Sequence, residues 1–270
     1  MIVDAHHHLW KRPYDWMTDG YEPLRRPFGI EDLREATAGL GVSATVAVQA
    51  DTTELETREL LAEPVAAVVG WVDLTAPDVA DRLAALAHPR LAGIRHTVQS
   101  EPEPEWLLRA DVRRGLRAVA AAGLRYDLLL LPHHLPAATR LARELPELPL
   151  VLDHGAKPPI ASGGWEPWSS DLSALAAFEQ VHCKLSGLVT EASWEGWRDQ
   201  AVGRYADRLL EAFGPRRLMF GSDWPVCTVA ATYAEVLELA RAAVADLSAA
   251  EGEQVLGGTA RRFYGIAAAD

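Results

Sequence analysis

Short apolar runs alternate with longer amphipathic stretches along the whole of this 270-residue chain. Most of the apolar runs are continuous rather than alternating, which is typical of parallel strands that are buried on both faces. The pattern predicts eight strands, over Ile2–His8, Ala44–Ala50, Ala67–Asp73, Leu91–His96, Arg125–Leu131, Leu150–His154, His182–Gly187 and Leu218–Ser222.

The amphipathic stretches between these strands have the apolar spacing of helices. They predict helices over Ile30–Gly39, Glu54–Ala62, Val79–Ala87, Trp106–Ala122, Pro136–Leu145, Leu172–Glu179, Trp197–Ala212 and Tyr233–Ala245, with a closing helix over Ala249–Phe263. Strands that alternate with helices specify a parallel sheet, and ~250 residues is the usual length of one (β/α)8 barrel. We therefore predict an α/β fold, a single TIM-barrel domain over residues 1–270. The alternative is an open doubly wound sheet, which would normally carry a glycine-rich turn after its first strand, where this chain has histidines.

Composition narrows the classes of partner. The chain has 26 Lys and Arg against 38 Asp and Glu, a net charge of −12, which disfavours nucleic acid and anionic lipid and favours a small-molecule substrate. Two cysteines are too few for a disulfide scaffold, the amino terminus does not resemble a signal peptide, and no apolar run is long enough for a membrane span. The expectation is a cytoplasmic enzyme with no membrane partner, and a homodimer is one option because such barrels often dimerise.

The first strand ends in three histidines. Alternate residues of an extended strand share a face, so His6 and His8 are predicted to point into the barrel mouth, roughly 6–7 Å apart, while His7 points outward. Two such imidazoles can share one divalent ion or one substrate oxygen. The other interpretations are a tag remnant and core histidines with satisfied hydrogen bonds.

Two further strands also end in polar residues. His154 follows an aliphatic run, and Asp223 follows another. Taken singly, His154 can belong to a turn-capping His–Asp pair and Asp223 can be a helix N-cap. Because the carboxyl ends of barrel strands meet at one mouth, His6, His8, His154 and Asp223 are predicted to converge there. Imidazoles with a carboxylate suit zinc or manganese, and the carboxylate can also serve as a general base.

Several motifs at the strand ends resemble those of a known family. The motifs that carry the resemblance are Asp4-Ala5-His6-His7-His8-Leu9-Trp10, Gly93-Ile94-Arg95-His96, Asp153-His154-Gly155-Ala156-Lys157-Pro158, Cys183-Lys184-Leu185-Ser186-Gly187 and Gly221-Ser222-Asp223-Trp224-Pro225. They are similar to the amidohydrolase superfamily, in the amidohydrolase-related branch that holds sugar lactonases of the fuconolactonase and rhamnonolactonase types and the pyrone dicarboxylate hydrolase. The similarity extends from the first strand to the end of the closing helix.

The resemblance implies the roles of the strand-end residues. His6 and His8 match the histidine pair of the first strand, His154 the histidine of the sixth and Asp223 the aspartate of the eighth. The fourth and fifth strands lack the bridging residue and histidine of two-metal relatives, so at most one divalent ion is implied, with zinc favoured and a metal-free mechanism left open. The implied reaction opens the ester ring of a small sugar-acid lactone, with Asp223 handling the proton and the histidines acting on the carbonyl.

Other polar and aromatic residues near the strand ends are candidate substrate contacts. They are Arg95, Gln49, Trp10 and Trp224, with Tyr126, Lys157, Lys184 and Ser186 as weaker candidates. Arg95 has an alternative role in an ion pair with Asp127. Gln49 can instead close a hydrogen-bond network, and the loop tryptophans can be hydrophobic cover. Two other functions remain open: a metal-dependent decarboxylase of an unsaturated carboxylic acid in the same superfamily, and a catalytically dead barrel used as a binding protein.

Overall fold

A computed structural model describes residues 1–267 of the chain. Eight strands form one parallel sheet in which each strand pairs with the next along the sequence. The strands are β1 (Ile2–His7), β2 (Val42–Val48), β3 (Ala67–Gly70), β4 (Leu91–His96), β5 (Arg125–Leu128), β6 (Leu150–Leu152), β7 (Val181–Leu185) and β8 (Leu218–Phe220).

The two edges of the sheet meet just beyond the end of β8. Asp223 donates its backbone N–H to the His6 carbonyl at 2.8 Å, and His8 donates to the Trp224 carbonyl at 2.7 Å. These bonds leave the sheet nearly closed into a barrel. The predicted (β/α)8 fold is confirmed.

Ten α-helices are found between and after the strands of the described chain. They are α1 (Ile30–Thr37), α2 (Glu54–Ala62), α3 (Val79–Ala85), α4 (Ala110–Ala121), α5 (Leu135–Glu144), α6 (Trp168–Ala176), α7 (Val202–Phe213), α8 (Tyr233–Ala243), α9 (Ala249–Glu253) and α10 (Thr259–Tyr264). In α7, for example, Val202, Tyr205, Leu209 and Phe213 are buried at helical spacing. Within residues 1–267, no helix is both long and apolar enough to cross a bilayer.

The amino-terminal end of the barrel is closed by the last helix. Ala260, Phe263 and Tyr264 of α10 pack with the small apolar residues of the barrel interior, such as Val3. The predicted closing helix over Ala249–Phe263 is interrupted at Gln254–Gly258, where the chain makes a wider turn. A Cβ on Gly257 in this turn would lie only 2.5 Å from the Met1 carbonyl oxygen, so the last helix can approach β1 only with glycine here.

Several predicted boundaries were wrong. Seven of the eight strands end one to three residues earlier than predicted, because the chain leaves the sheet to build the mouth. His154 and Asp223 have φ angles of 54° and 58°, which a strand cannot accommodate. The predicted helix Trp106–Ala122 is a short turn followed by α4, because Arg109 is extended, with ψ 144°. The predicted helix Trp197–Ala212 is likewise a turn followed by α7.

Candidate active site

The structure brings His6, His8, His154 and Asp223 together at the carboxyl end of the barrel. The Asp223 Oδ1 atom lies 3.7 Å from His6 Nε2, 3.4 Å from His8 Nε2 and 3.8 Å from His154 Nε2. The two Nε2 atoms of His6 and His8 are 3.2 Å apart. All four residues are buried, so the cluster is a preorganised site rather than a set of surface groups.

Hydrogen bonds on the far sides of the rings orient two of the histidines. His8 Nδ1 lies 2.8 Å from the Val48 carbonyl oxygen, and because a carbonyl can only accept, the His8 proton is on Nδ1. This leaves the Nε2 lone pair of His8 directed into the site. His154 Nδ1 is held by the Ser186 hydroxyl at 2.9 Å.

The backbone is strained at His154 and Asp223, and hydrogen bonds from neighbouring residues hold the Asp223 segment in this conformation. The left-handed φ angles of His154 and Asp223 each cost about 1–3 kcal/mol in non-glycine residues. Asp223 is held by its bond to the His6 carbonyl, and the preceding Ser222 donates both its N–H and its hydroxyl to Asp4, at 2.9 and 2.6 Å. Backbone strain is therefore found at His154 and Asp223, whose side chains point into the site.

Two glycines allow the site to pack closely. A Cβ built on Gly187 would lie 2.5 Å from His154 Nδ1, and one on Gly221 would lie 2.7 Å from His6 Cβ. Gly187 also has a φ of 64°, which favours glycine. Any side chain at these positions would displace a histidine.

A buried network of charges lies beneath His6. Lys184 Nζ is 2.6 Å from Asp127 Oδ2, 2.9 Å from Asp153 Oδ1 and 3.1 Å from His6 Nδ1. Asp153 Oδ1 is also 3.3 Å from His6 Nδ1, and Tyr264 donates its hydroxyl to Asp127 at 2.8 Å. Arg95 Nη1 lies 3.3 Å from His6 Nε2, and because a guanidinium can only donate, this contact favours the His6 tautomer whose Nε2 is unprotonated and able to ligate.

The protonation states suit a ligand set. Burial lowers the pKa of His154 to about 4, and burial together with the Lys184 charge holds the pKa of His6 well below its usual range. Burial alone would raise the pKa of Asp223, but the three imidazoles outweigh it and the net shift is downward. The site therefore presents the neutral imidazoles of His6 and His154 beside an ionised Asp223 carboxylate at neutral pH.

These residues fit one divalent ion. His6, His154 and Asp223 each offer a ligand atom, and these atoms all lie within 4.8 Å of one another. Tetrahedral zinc with ligand bonds of about 2.0–2.1 Å needs ligand atoms about 3.3 Å apart. In this set Asp223 Oδ1 is 3.7 Å from His6 Nε2 and 3.8 Å from His154 Nε2, so small side-chain shifts would complete the geometry. Within the described part of the chain, no other group of three or more His, Cys, Asp or Glu residues has its ligand atoms within 4.8 Å of one another.

The cluster opens into a cavity of about 640 Å³, and two of the predicted substrate contacts line it. Arg95 and Lys157 both face the cavity, and Lys157 is 3.5 Å from Glu191. The alternative pairing of Arg95 with Asp127 was wrong: Arg95 contacts Asp153 at 3.0 Å, because Lys184 occupies Asp127.

The other four predicted contacts are not among the residues that line the cavity. Gln49 is fully buried and accepts from Arg95 Nη2 at 3.1 Å, so it holds the arginine. Tyr126 is fully buried in the apolar layer between sheet and helices. Trp10 and Trp224 are buried on either side of Phe28, with ring centroids 5.4 Å from it. Trp10 and Trp224 are turned into the core by the packing of their loops, and the contact of all four residues with substrate stays a prediction.

Sequence reasoning missed the residues that form the outer part of the cavity. Arg12, Tyr14, Trp16 and Tyr21, from the segment between β1 and α1, all line it. Trp16 lies in a loop, and nothing in a loop sequence reveals which ring faces a cavity. The buried network was more accessible to prediction, since Asp127 and Lys184 are charged residues within strands whose neighbours are apolar.

A TIM barrel with three histidines and an aspartate at its strand ends has the architecture of a metal-dependent hydrolase. Comparison with known proteins gives the family directly. The chain belongs to the amidohydrolase family, whose pattern matches residues 3–266.

Two characterised relatives are similar over most of the chain. An L-fucono-1,5-lactonase of Burkholderia ambifaria is 41% identical over 242 residues, which cover 86% of this chain and 83% of that protein. An L-fucono-1,5-lactonase of Burkholderia multivorans is 39% identical over 98% of this chain and 96% of its own length.

Solved structures agree with this placement. An amidohydrolase from Burkholderia multivorans with bound zinc superposes with a TM-score of 0.94 at 38% identity, over 99% of this chain and all of that one. A putative 2-pyrone-4,6-dicarboxylic acid hydrolase from Pseudomonas putida covers 99% of this chain and 98% of its own, with a TM-score of 0.77. At 22% identity, this second likeness concerns the fold alone.

Proposed function

We propose that this protein is a hydrolase that opens the ester ring of a sugar-acid lactone, with L-fucono-1,5-lactone as the first substrate to test. The convergence of His6, His8, His154 and Asp223 in one buried site carries the proposal. The similarity to two L-fucono-1,5-lactonases at 39–41% identity supports the substrate class.

We assign one zinc ion to this site, with His6, His154 and Asp223 as ligands and His8 beside them. The zinc-bound relative of similar sequence supports this choice of metal. When bound, a divalent ion supplies Lewis-acid stabilisation of the negative charge that develops on the lactone carbonyl oxygen.

The side chains of the protein supply the proton transfers. Asp223, ionised among the imidazoles, accepts a proton as water attacks the carbonyl carbon. The ester C–O bond then breaks, the ring oxygen takes up that proton, and the product is an open-chain hydroxy acid. Arg95 and Lys157 line the cavity and provide positive charge for the carboxylate that forms.

The alternative functions have less support. The decarboxylases among the structural neighbours, such as the 2,6-dihydroxybenzoate decarboxylase from Rhizobium, are 14% identical and share the fold alone. A dead binding barrel does not explain why the polar cluster is complete. Two buried free cysteines, Cys183 and Cys227, fit a reducing compartment, and we propose the cytoplasm.

The substitution Asp223→Asn tests the role of the carboxylate. The variant should fold normally and lose at least about a thousandfold in kcat, since both the proton acceptor and a charged ligand are removed. Acid release from L-fucono-1,5-lactone, followed with a pH indicator, measures this loss, and circular dichroism checks the fold. A variant with near-normal turnover would contradict the assignment.

A further inference from the structure

Glu56, in the first turn of α2, is a buried acid that the proposed reaction does not use. Its side chain is 1% exposed, and buried carboxylates are rare unless they are tied to partners. Its position, three residues after the N-cap Thr53, is where a glutamate usually reaches back to the N-cap backbone. Here the Glu56 side chain reaches back past the N-cap, to the backbone of Ala50 and Asp51.

The Glu56 carboxylate joins two loops at the mouth of the barrel. It accepts the backbone N–H groups of Ala50, at 3.0 Å, and of Asp51, at 2.8 Å, in the segment that follows β2. It also accepts the Tyr14 hydroxyl at 2.8 Å, from the segment that follows β1. One carboxylate thus fixes the position of one loop relative to the other.

Both of these loops line the cavity of the active site. Tyr14, Ala50 and Asp51 are lining residues, and so is Trp16. Trp16 donates its indole N–H to the Ala50 carbonyl at 2.9 Å, so the loop that Glu56 holds in turn holds the indole. The rings of Tyr14 and Trp16, with centroids 6.5 Å apart, form what we call the aromatic wall.

The aromatic wall is suited to a sugar ring. Trp16 keeps 37% of its surface exposed and lines the cavity, so its ring is available to a ligand that enters there. Aromatic faces pack against the C–H faces of sugars, and tyrosine and tryptophan add a polar edge to the apolar surface. The wall therefore offers binding to the part of the substrate that does not react.

We propose that Glu56 is a positioning residue that fixes the Tyr14–Trp16 aromatic wall against which the sugar ring of the lactone packs. The substrate part of this inference rests on the proposed function. Glu56 acts through Tyr14 and Ala50 and makes no hydrogen bond to the four residues of the reacting cluster. Its loss should therefore weaken binding of the lactone equally in the ground state and the transition state, which raises KM and spares kcat.

Three variants test the proposal by steady-state kinetics on L-fucono-1,5-lactone. Glu56→Ala should raise KM about tenfold with kcat within about twofold of the wild type, and Trp16→Ala should do the same. Glu56→Gln, by contrast, should keep KM near the wild-type value. Its amide oxygen can accept the two backbone N–H groups, while its amide nitrogen donates to the Tyr14 oxygen.

The matched control is Thr57→Val, in the same helix. Thr57 is fully buried, accepts the Trp71 N–H at 2.8 Å and makes no hydrogen bond to Tyr14, Ala50 or Asp51, so its loss should lower stability without changing KM. A Glu56→Ala variant with unchanged KM would overturn the proposal. So would a Glu56→Ala variant that loses activity only through loss of folded protein, as Thr57→Val can.

Hydrogen–deuterium exchange tests the positioning role without any substrate. In Glu56→Ala, peptides covering residues 11–21 and 49–53 should exchange faster, while those of Glu56→Gln and Thr57→Val should match the wild type. Unchanged exchange in these peptides would refute the positioning role. If the wild-type protein exchanges as expected but hydrolyses no lactone, the proposed function fails and the positioning role stands.

Discussion

Replacing Lys184 by methionine tests the buried charge network beneath the active site. Lys184 is fully buried, and its ammonium lies within 2.9 Å of both Asp127 and Asp153. Lys184→Met keeps much of the side-chain volume but leaves these carboxylates without their shared cation. Breaking a buried pair in this way typically costs about 3–5 kcal/mol.

Two features place the expected loss of stability in Lys184→Met near the lower end of that range. Asp153 keeps its contact with Arg95 at 3.0 Å. Burial already raises the pKa of Asp127 to about 6, so this carboxyl can take up a proton at modest cost once the lysine is gone. A loss of about 3 kcal/mol should lower Tm by roughly 6 °C in a chain of this size.

The assay is thermal unfolding followed by circular dichroism at neutral pH. The double variant Lys184→Met/Asp127→Asn should recover part of the loss, because it removes one of the stranded carboxylates. Arg113→Met, which breaks an ion pair with Glu144 at the surface, is the control and should change stability by less than about 1 kcal/mol. A Lys184→Met variant as stable as this control, or a double variant less stable than the single one, would refute the reasoning.

Two further variants test the packing and the ionisation described above. Gly187→Ala should weaken zinc binding at least about tenfold, measured by chelator competition, because its Cβ would lie 2.5 Å from His154 Nδ1; wild-type affinity would contradict the packing argument. Burial raises the pKa of Glu56 from 4.5 to about 7, so the stability that its protonated form contributes is complete below pH 4.5 and is lost as pH rises through 7. Between pH 4.5 and 7, the free energy of unfolding of the wild type, measured with urea, should therefore fall by about 3 kcal/mol relative to that of Glu56→Gln. A difference between the two proteins that does not change with pH would show that Glu56 does not titrate in this range.

The sequence was sufficient to predict the barrel and the convergence of four polar residues at its mouth, for a physical reason. Parallel strands buried on both faces leave an apolar signal, and a polar residue that ends such a strand is conspicuous. His6, His8, His154 and Asp223 all stand out in this way. The exact strand ends could not be predicted, because left-handed residues such as His154 are set by tertiary contacts rather than by local propensity.

The side chains that line the cavity were harder to predict. Trp10 and Trp16 lie six residues apart in one loop, yet one packs against Phe28 and the other faces the cavity. That choice depends on how the loop docks on α2, through Tyr14 and Glu56, and on no periodic pattern. Lys184 shows the converse case: a charged residue in a buried strand signals a network, but only the fold identifies its partners.

The measurement that tests the central claim most directly is a zinc titration of the chelator-stripped protein, with hydrolysis of L-fucono-1,5-lactone as the readout. If one ion held by His6, His154 and Asp223 serves a lactonase site, stripped protein is inactive and its activity rises linearly to a plateau at one zinc per chain. Full activity without metal, or a plateau only at two ions per chain, would contradict the account.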